Sequence, residues 1–282
     1  MTSRAGSPSP NHALRAVRGT ILLVGAGKMG SALLEGWLAL GLAPGSLMVI
    51  EPDPSATVGA LVGKGLRLNP AGKPDDVAAL VLAVKPQVAP DVTQTLTSFL
   101  GPATVVISIM AGRTLQFLET SFPRAAVVRA MPKTPASIGC GITVAVPNPR
   151  ISGEQRALVN GLLSAVGGVE WVDDEGLMDA VTALSGSGPA YIFLLAEAMA
   201  RAGATAGLPP ALASTLARAT VAGSGELLRR SPLDAASLRE NVTSPGGTTA
   251  AALEVLMGRN GLQELMTNAI AAAARRSREL AG

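Results

Sequence analysis

The sequence predicts an α/β domain, built on a doubly wound and mostly parallel sheet, followed by an all-α domain. Three observations predict this fold class. Short apolar runs alternate with helical stretches in the first half of the chain, the alternation stops near residue 172, and a glycine-rich turn directly follows the first apolar run. We therefore expect a flexible leader over residues 1–18, the α/β domain over 19–172 and the helical domain over 173–282.

The apolar runs of the first half are short, rich in β-branched side chains and bounded by glycine, proline or charge, as buried strands are. They cover residues 21–24, 47–50, 80–84, 105–108, 126–128 and 142–146. Amphipathic stretches such as 29–40 and 88–100 lie between them. Because strands that alternate with helices form parallel sheets covered on both faces, we expect such a sheet here.

The second half shows helical patterns alone, over residues 188–206, 210–229, 233–241, 247–257 and 262–280. Pro189 and Pro210 fit the first turns of two of these helices. Residues 190–202 are apolar on nearly every face, and only Glu197 and Arg201 are charged. A helix that is apolar all round must be buried on all sides. Since a small helical domain offers few such places, the pattern predicts burial against a second subunit.

Composition excludes several kinds of chemistry. The chain has 23 basic and 20 acidic residues, one cysteine, Cys140, and one histidine, His12. A single cysteine forms no intrachain disulfide, and a lone histidine in a polar leader argues against a metal site, so we expect no metal. The basic cluster at 275–278 lacks interleaved aromatic side chains, which argues against a nucleic-acid partner. No stretch has the pattern of a membrane span or signal peptide, so we expect a cytoplasmic protein without a membrane partner.

A glycine-rich turn lies between the first predicted strand and the first predicted helix. It consists of Gly25, Ala26, Gly27, Lys28, Met29 and Gly30. In this strand–turn–helix setting the GxGxxG pattern predicts a Rossmann dinucleotide site. Gly25 allows the tight turn, Gly27 lets the backbone approach the pyrophosphate, and Gly30 lets helix and strand pack closely. The helix N-terminus then offers free N–H groups to the phosphates.

Glu51 follows the second predicted strand, about twenty residues after the glycine-rich turn, where an acidic residue binds the ribose hydroxyls of the cofactor. Asp53 lies two residues later, and no arginine stands beside them to hold a 2′-phosphate. We therefore expect NADPH or NADH as the cofactor, with NADH favoured. The alternative is that Glu51 is an ordinary charge at the end of a strand.

Two further strand ends are expected to contact the cofactor, because ligands of such folds bind beyond the carboxyl ends of the strands. The first comprises Ala83, Val84, Lys85 and Pro86, and the second, expected to line the nicotinamide pocket, includes Met110, Ala111 and Gly112. Lys85 is a candidate catalytic residue that would meet phosphate or the substrate side of the nicotinamide. A surface or intersubunit ion pair is the alternative for Lys85.

A polar turn with two glycines precedes the helical stretch at 247–257. Its candidate ligand-binding residues are Ser244, Gly246, Gly247, Thr248 and Thr249. One interpretation is a well-capped helix start. The other is an anion site, in which the glycines let a ligand approach and the N–H groups of the first helical turn bind a carboxylate.

Five segments resemble, in order, the motifs of the pyrroline-5-carboxylate reductase family. They are GAGKMG at 25–30, AVKP at 83–86, RAMPKTP at 129–135, LSGSGPAY at 184–191 and VTSPGGTT at 242–249. The resemblance implies a Rossmann domain and a helical domain that interlocks with its partner in a homodimer, and dimers of the family often assemble into decamers. It also implies the reaction, in which nicotinamide hydride reduces C5 of 1-pyrroline-5-carboxylate to give L-proline, the last step of proline biosynthesis.

The resemblance assigns roles to residues of the last motif. Thr249 matches the family threonine whose hydroxyl bonds the ring nitrogen of the substrate. Ser244, Gly247 and Thr248 match the segment that holds the substrate carboxylate. We therefore expect Thr249 to orient the substrate, and we expect this segment, with Gly246, to form the substrate site.

The sequence departs from the family pattern at two positions. Lys133 replaces the usual asparagine of the MPNTP motif, and Glu51 stands where many members carry small polar or basic residues, so their NADPH preference need not transfer. Hydroxyacid dehydrogenases, imine reductases and F420-linked NADP reductases are rival enzyme classes, but a hydroxyacid dehydrogenase usually carries a lysine on the first helix of its second domain, and residues 188–206 contain none. An NAD-binding redox regulator would not need an intact substrate turn.

Overall fold

The computed structural model describes residues 14, 17–72, 76–133 and 139–281. The chain forms two compact units. The α/β unit comprises the described parts of 1–182 and of 276–282, and the helical unit comprises 183–275. The α/β unit extends beyond residue 172 because Met178 is buried against Val144 and Val146.

One eight-stranded sheet forms the centre of the α/β unit, with the strand order β3-β2-β1-β4-β5-β6-β7-β8. The strands are β1 (Thr20–Val24), β2 (Leu47–Ile50), β3 (Arg67–Leu68), β4 (Val77–Leu82), β5 (Val105–Ser108), β6 (Ala126–Met131), β7 (Gly141–Pro147) and β8 (Gly167–Trp171). Neighbouring strands are parallel except for the antiparallel pair β6 and β7. The prediction of a doubly wound, mostly parallel sheet is confirmed.

Helices cover both faces of this sheet. They are α1 (Lys28–Ala39), α2 (Ala56–Ala60), α3 (Ala89–Leu96), α4 (Leu115–Ser121), α5 (Gly153–Ser164) and α6 (Met178–Val181). Ile21 and Leu23 of β1 are buried in a cluster with residues of α1 and α5, whereas Leu22 and Val24 face the opposite cluster, which includes residues of α3 and α4. Because strand side chains alternate between faces, a strand buried on both faces is apolar throughout.

The structure differs from the sequence-based expectation at four places. β3 and β8 were not expected, since β3 has two residues and β8 begins with two glycines. β4 covers Val77–Leu82 instead of 80–84, and the chain enters a short 3-10 helix at Pro86, whose ring lacks the N–H that strand pairing needs. Leu14, in the expected leader, is buried in the core beside α1 and α5, and the rest of 1–16, including His12, lies outside the described residues.

The helical unit begins within a π-helix at Thr182–Gly186. Its helices are α7 (Gly188–Thr205), α8 (Pro210–Arg230), α9 (Ala235–Asn241), α10 (Thr248–Leu256) and α11 (Leu262–Ala281), the last of which ends in the α/β unit. Each predicted helix is present, with ends within two residues of the prediction. Pro189 and Pro210 lie in first turns, as expected.

Large apolar side chains of the helical unit lie on its surface. On α7, the exposed fractions are 48% for Ile192, 67% for Phe193 and 58% for Leu194. Ile192 and Phe193 line a groove of about 860 Å³ together with residues of α8 such as Ala219 and Ala222. The helix that the sequence predicts to be buried on all sides is therefore not buried within one chain.

Two further properties concern only the residues that the structure describes. No helix among them is long and apolar enough to cross a membrane. No group of three or more histidine, cysteine, aspartate or glutamate side chains among them could hold a metal ion.

Candidate functional site

A cavity of about 930 Å³ opens at the carboxyl ends of β1, β2 and β4. The strand order changes direction at β1, between β2 and β4, and such a switch point is where ligands bind in open α/β sheets. Eight of the predicted cofactor-binding residues line the cavity: Gly25, Ala26, Gly27, Lys28, Glu51, Ala83, Val84 and Lys85. The cavity is also lined by Ile50, Pro52, Asp53, Pro54 and Ser55.

The three glycines of the turn after β1 have different surroundings. Gly25 has a φ of +94°, and a Cβ placed on it would lie 2.7 Å from the Ala83 carbonyl carbon. A Cβ on Gly30 would overlap the carbonyl oxygen of Gly25. No atom lies within 4 Å of a Cβ placed on Gly27. Gly25 and Gly30 are therefore required by the fold, whereas Gly27 keeps space free for a ligand.

Helix α1 begins beside the cavity without a side-chain cap, and Gly27 is its N-cap residue. The Ser31 hydroxyl, which lines the cavity, donates to the Ala26 carbonyl over 2.7 Å. Uncapped N–H groups at the start of a twelve-residue helix attract an anion, both by hydrogen bonding and through the helix dipole. This arrangement fits the pyrophosphate of a dinucleotide.

The Glu51 carboxylate follows β2, lines the cavity and contacts the glycine-rich turn. It accepts hydrogen bonds from the Ala26 N–H over 2.7 Å and from the Asp53 N–H over 3.1 Å. A carboxylate has about four acceptor sites, so Glu51 keeps acceptor capacity for further donors. Ribose hydroxyls are donors of this kind.

The remaining predicted cofactor contacts are not brought to this cavity. Met29, Gly30 and Pro86 are absent from its lining, as are Met110, Ala111 and Gly112. Met110 is 3% exposed, and its side chain packs in the core cluster on the α3 and α4 side of the sheet. The expected contact of residues 110–112 with the nicotinamide stays a prediction.

The polar turn before α10 is a tight β-turn at residues 244–247. The Gly247 N–H donates to the Ser244 carbonyl over 3.0 Å, and Gly246 has a φ of +66°. Proline at the second position and a positive φ at the third are the signature of a type II turn. The turn thus folds locally as the sequence requires.

Helix α10 begins directly after this turn, with Gly247 as its N-cap and no side-chain cap. The interpretation of the turn as a well-capped helix start is therefore wrong for this end of α10. Thr248 is exposed and Thr249 is half-buried in the isolated chain. The first-turn N–H groups and these hydroxyls remain available to bind a small anion.

Several contacts near the motifs were not foreseen. The buried Arg129, from the RAMPKTP motif, forms an ion pair of 2.7 Å with Glu175, and the same carboxylate oxygen accepts from the N–H of Leu115. Arg113 donates from Nε over 3.0 Å to the carbonyl of Pro86, which fixes the AVKP segment. The Tyr191 hydroxyl of the LSGSGPAY motif donates to the Ala183 carbonyl within the π-helix. Spacing along the chain gives no signal for the contacts of Arg129 with Glu175 and of Arg113 with Pro86, which are 46 and 27 positions apart.

Lys133 is the departure from the MPNTP motif and lies just after β6. It is 7% exposed, and burial lowers the pKa of its ammonium group from the ordinary value of 10.5. Residues 134–138, which follow it, lie outside the described residues. Lys133 thus places a titratable amine in a buried position where the family motif has a neutral asparagine.

Two family models match the chain. The model for pyrroline-5-carboxylate reductase dimerisation matches residues 175–280, and the model for coenzyme F420-dependent NADP oxidoreductases matches residues 20–112. The first covers the whole helical unit, and the second covers the part of the chain that forms the cavity at β1.

Individual relatives match almost the whole chain. The pyrroline-5-carboxylate reductase of Synechocystis is 42% identical over 92% of this chain and 97% of its own length. The structure of a pyrroline-5-carboxylate reductase from Coxiella burnetii has a TM-score of 0.86 and 33% identity, and the match covers 94% of this chain and 99% of that chain. The Plasmodium falciparum pyrroline carboxylate reductase, solved with NADP bound, has a TM-score of 0.77 and 28% identity over 94% of this chain and 99% of that chain. By this similarity over 92–94% of its length, the chain belongs to the pyrroline-5-carboxylate reductase family of NAD(P)H-dependent oxidoreductases.

Proposed function

We propose that this protein reduces 1-pyrroline-5-carboxylate to L-proline. The observation that carries the proposal is a pair of uncapped helix starts, α1 beside the cavity and α10 after the turn at 244–247. The first suits the pyrophosphate of a dinucleotide and the second suits the carboxylate of a small ring acid, because both ligands are anions. NADH or NADPH, when bound, supplies the hydride that reduces C5 of the ring.

The residues proposed to bind the substrate lie in the turn and the first turn of α10. Ser244, Gly247 and Thr248 hold the carboxylate, and the Thr249 hydroxyl bonds the ring nitrogen. Thr249 is assigned to orientation, since a threonine hydroxyl is a poor proton donor near neutral pH. A cyclic imine can bind already protonated, so the site needs no strong general acid, and positioning supplies most of the acceleration.

The proposed cofactor preference is for NADH. Glu51 and Asp53 both line the cavity, and its described lining has cations only at Lys28 and Lys85. A 2′-phosphate next to Glu51 would meet a carboxylate, whereas ribose hydroxyls would donate to it. Because the Plasmodium falciparum relative was solved with NADP bound, the assay below compares both cofactors.

The proposed assembly is a homodimer formed through the exposed apolar faces of the helical unit. The dimerisation model covers this unit, and α7 alone exposes three large apolar side chains in a row at 192–194. An interface between two copies would bury these side chains. Light scattering coupled to gel filtration tests the proposal. A mass of twice 28.4 kDa supports the dimer, ten times that mass supports the decamer of the resemblance, and 28.4 kDa refutes both.

The activity is tested with the purified full-length protein, 1-pyrroline-5-carboxylate and each reduced cofactor. The loss of nicotinamide absorbance should require the imine, and proline should form in equal amount. We expect a higher kcat/KM with NADH than with NADPH. Cofactor binding without imine-dependent oxidation would refute the enzymatic function and favour a redox regulator.

A further inference from the structure

Asn69 lies directly after β3 and binds the main chain of Glu51 with both ends of its side-chain amide. The Glu51 N–H donates to Oδ1 of Asn69 over 2.8 Å, and Nδ2 of Asn69 donates to the Glu51 carbonyl over 2.7 Å. In addition, the Asn69 N–H donates to the Val49 carbonyl over 2.8 Å. Three hydrogen bonds therefore connect one exposed residue to the end of β2.

These bonds extend the short pairing between β2 and β3 as far as Glu51. β3 pairs with β2 only at Met48 with Arg67 and at Val49 with Leu68. On the other side of β2, the Ile50 carbonyl accepts from the Gly25 N–H of the glycine-rich turn. Because successive main-chain groups of a strand face opposite neighbours, the groups of Glu51 face the β3 side, where Asn69 supplies both a donor and an acceptor.

The position favours asparagine for two physical reasons. Asn69 has a φ of +43°, and asparagine tolerates this left-handed conformation better than most residues. Its amide also carries a donor and an acceptor, both of which are used. Glycine would keep the backbone conformation without the amide, and aspartate would keep an acceptor but place a carboxylate oxygen against the Glu51 carbonyl.

We propose that Asn69 is a positioning residue for cofactor selectivity. It fixes the main chain of Glu51, and so directs the Glu51 carboxylate to the place beside the Ala26 N–H where the ribose of the cofactor would bind. Asn69 does not itself line the cavity. The inference rests on the proposed role of Glu51 in recognising the ribose.

The test is the ratio of kcat/KM with NADH to kcat/KM with NADPH in full-length variants. Asn69→Gly should lower this ratio about 3- to 10-fold, as expected for the loss of two neutral hydrogen bonds. The loss should appear in the KM for NADH with kcat nearly unchanged, because ground-state positioning is affected. Asn69→Asp should lower the ratio as well, and serves if the glycine variant does not fold.

Asn260→Gly is the matched control. Asn260 also has a left-handed backbone, with a φ of +59°, but lies between α10 and α11 in the helical unit. The control variant makes the same change from asparagine to glycine in a left-handed backbone conformation, at a position without the contacts to β2. The ratio should be unchanged in this variant.

A double-mutant cycle with Glu51→Ala separates positioning from general stability. If Asn69 acts through Glu51, Asn69→Gly has no further effect on the ratio in the Glu51→Ala background. An unchanged ratio in a folded Asn69→Gly protein, an equal loss with both cofactors, or a shift that persists without Glu51 would each overturn the inference. The ratio of kcat/KM with NADH to kcat/KM with NADPH in the wild-type protein tests the proposed NADH preference. The role of Asn69 is tested by the change in this ratio. A shift toward NADPH in Asn69→Gly would support that role whichever cofactor the wild type prefers.

Discussion

The α/β unit and the helical unit distribute their apolar side chains in opposite ways. In the α/β unit, all five residues of β1 are buried, and large side chains such as Trp37 and Phe122 are 0% and 1% exposed. Within the described helical unit, the buried apolar residues are the small Ala183, Ala213 and Ala217. Its large apolar side chains, such as Phe193 at 67%, are exposed in the single chain.

This difference shows which part of the protein depends on association. The α/β unit completes its core within one chain, and the proposed cofactor cavity lies at the carboxyl ends of its strands. The helical unit lacks such a core, and exposed apolar faces of this extent indicate an interface. Because the proposed substrate turn belongs to the helical unit, we expect catalysis to require the dimer while cofactor binding does not.

The largest expected effect comes from a charge in the exposed apolar face of α7. Phe193→Glu should leave the protein monomeric at micromolar concentration and without measurable turnover, since a buried unpaired charge at an interface is strongly unfavourable. Light scattering and the reductase assay measure both effects. Val62→Glu is the matched control, because Val62 is 47% exposed in the α/β unit, and it should remain dimeric and active. A fully active, dimeric Phe193→Glu protein would contradict the comparison.

The next largest effect separates substrate chemistry from cofactor binding. Thr249→Ala should lower kcat by roughly 10- to 1000-fold, in line with the loss of one positioned polar group. The dissociation constant for NADH, measured by fluorescence, should not change. Thr267→Ala, an exposed threonine on α11, is the control and should keep full activity. Full activity in Thr249→Ala would remove Thr249 from the mechanism.

Alanine substitutions at two glycines of the turn after β1 should affect different properties, cofactor binding at Gly27 and stability at Gly30. Gly27→Ala has space for its Cβ, so its Tm should stay close to that of the wild type while its KM for the cofactor rises by about 10-fold or more, as expected for the loss of close backbone approach. Gly30→Ala should instead lower the free energy of unfolding by about 1–3 kcal/mol, because its Cβ overlaps the Gly25 carbonyl. Thermal unfolding and cofactor titration measure the two effects. Equal effects of the two substitutions on Tm would contradict this assignment.

The smallest effect concerns the buried ammonium group of Lys133. Burial lowers its pKa below 10.5, so the unfolded chain binds this proton more tightly than the folded chain. The contribution of Lys133 to stability therefore rises with pH, from the lowered folded-state pKa up to 10.5. Lys133→Met should raise Tm by a few degrees at neutral pH, and the gain should shrink as pH approaches 10.5.

The control for Lys133 is Lys64→Met, which changes an exposed lysine of the same unit. Its Tm should equal that of the wild type at both pH values. A lower Tm in Lys133→Met at neutral pH would show that the ammonium group has a stabilising partner instead of a net cost of burial.

Local patterns predicted most of the fold. The strand β1, the glycine-rich turn and helix α1 follow from short-range rules on apolar runs and glycine, and they occur where these rules place them. The sequence did not predict β3 and β8, because these segments are strands by virtue of their hydrogen bonds to neighbouring strands and have no strand-like pattern of their own. The buried Leu14 was missed for a similar reason, since one apolar residue in a polar segment gives no periodic signal.

The sequence predicted which segments form the candidate site better than it predicted which residues contact one another there. The sequence placed Glu51 at the end of a strand, and the spacing explains why its carboxylate reaches the cavity. It contained no signal that Asn69 holds the main chain of Glu51, because the two residues are 18 positions apart and their contact depends on the order of strands in the sheet. Met110 is the opposite case, a predicted site residue that does not line the cavity, because its side chain packs in the core.

The most direct test of the central claim is to follow the transferred hydrogen itself. Purified protein is incubated with 1-pyrroline-5-carboxylate and NADH that carries deuterium at both C4 positions of the nicotinamide, and the proline formed is analysed by mass spectrometry. Our account predicts proline with one deuterium, located at C5, in an amount equal to the cofactor oxidised. Cofactor oxidation that leaves proline unlabelled, or no proline at all, would contradict it.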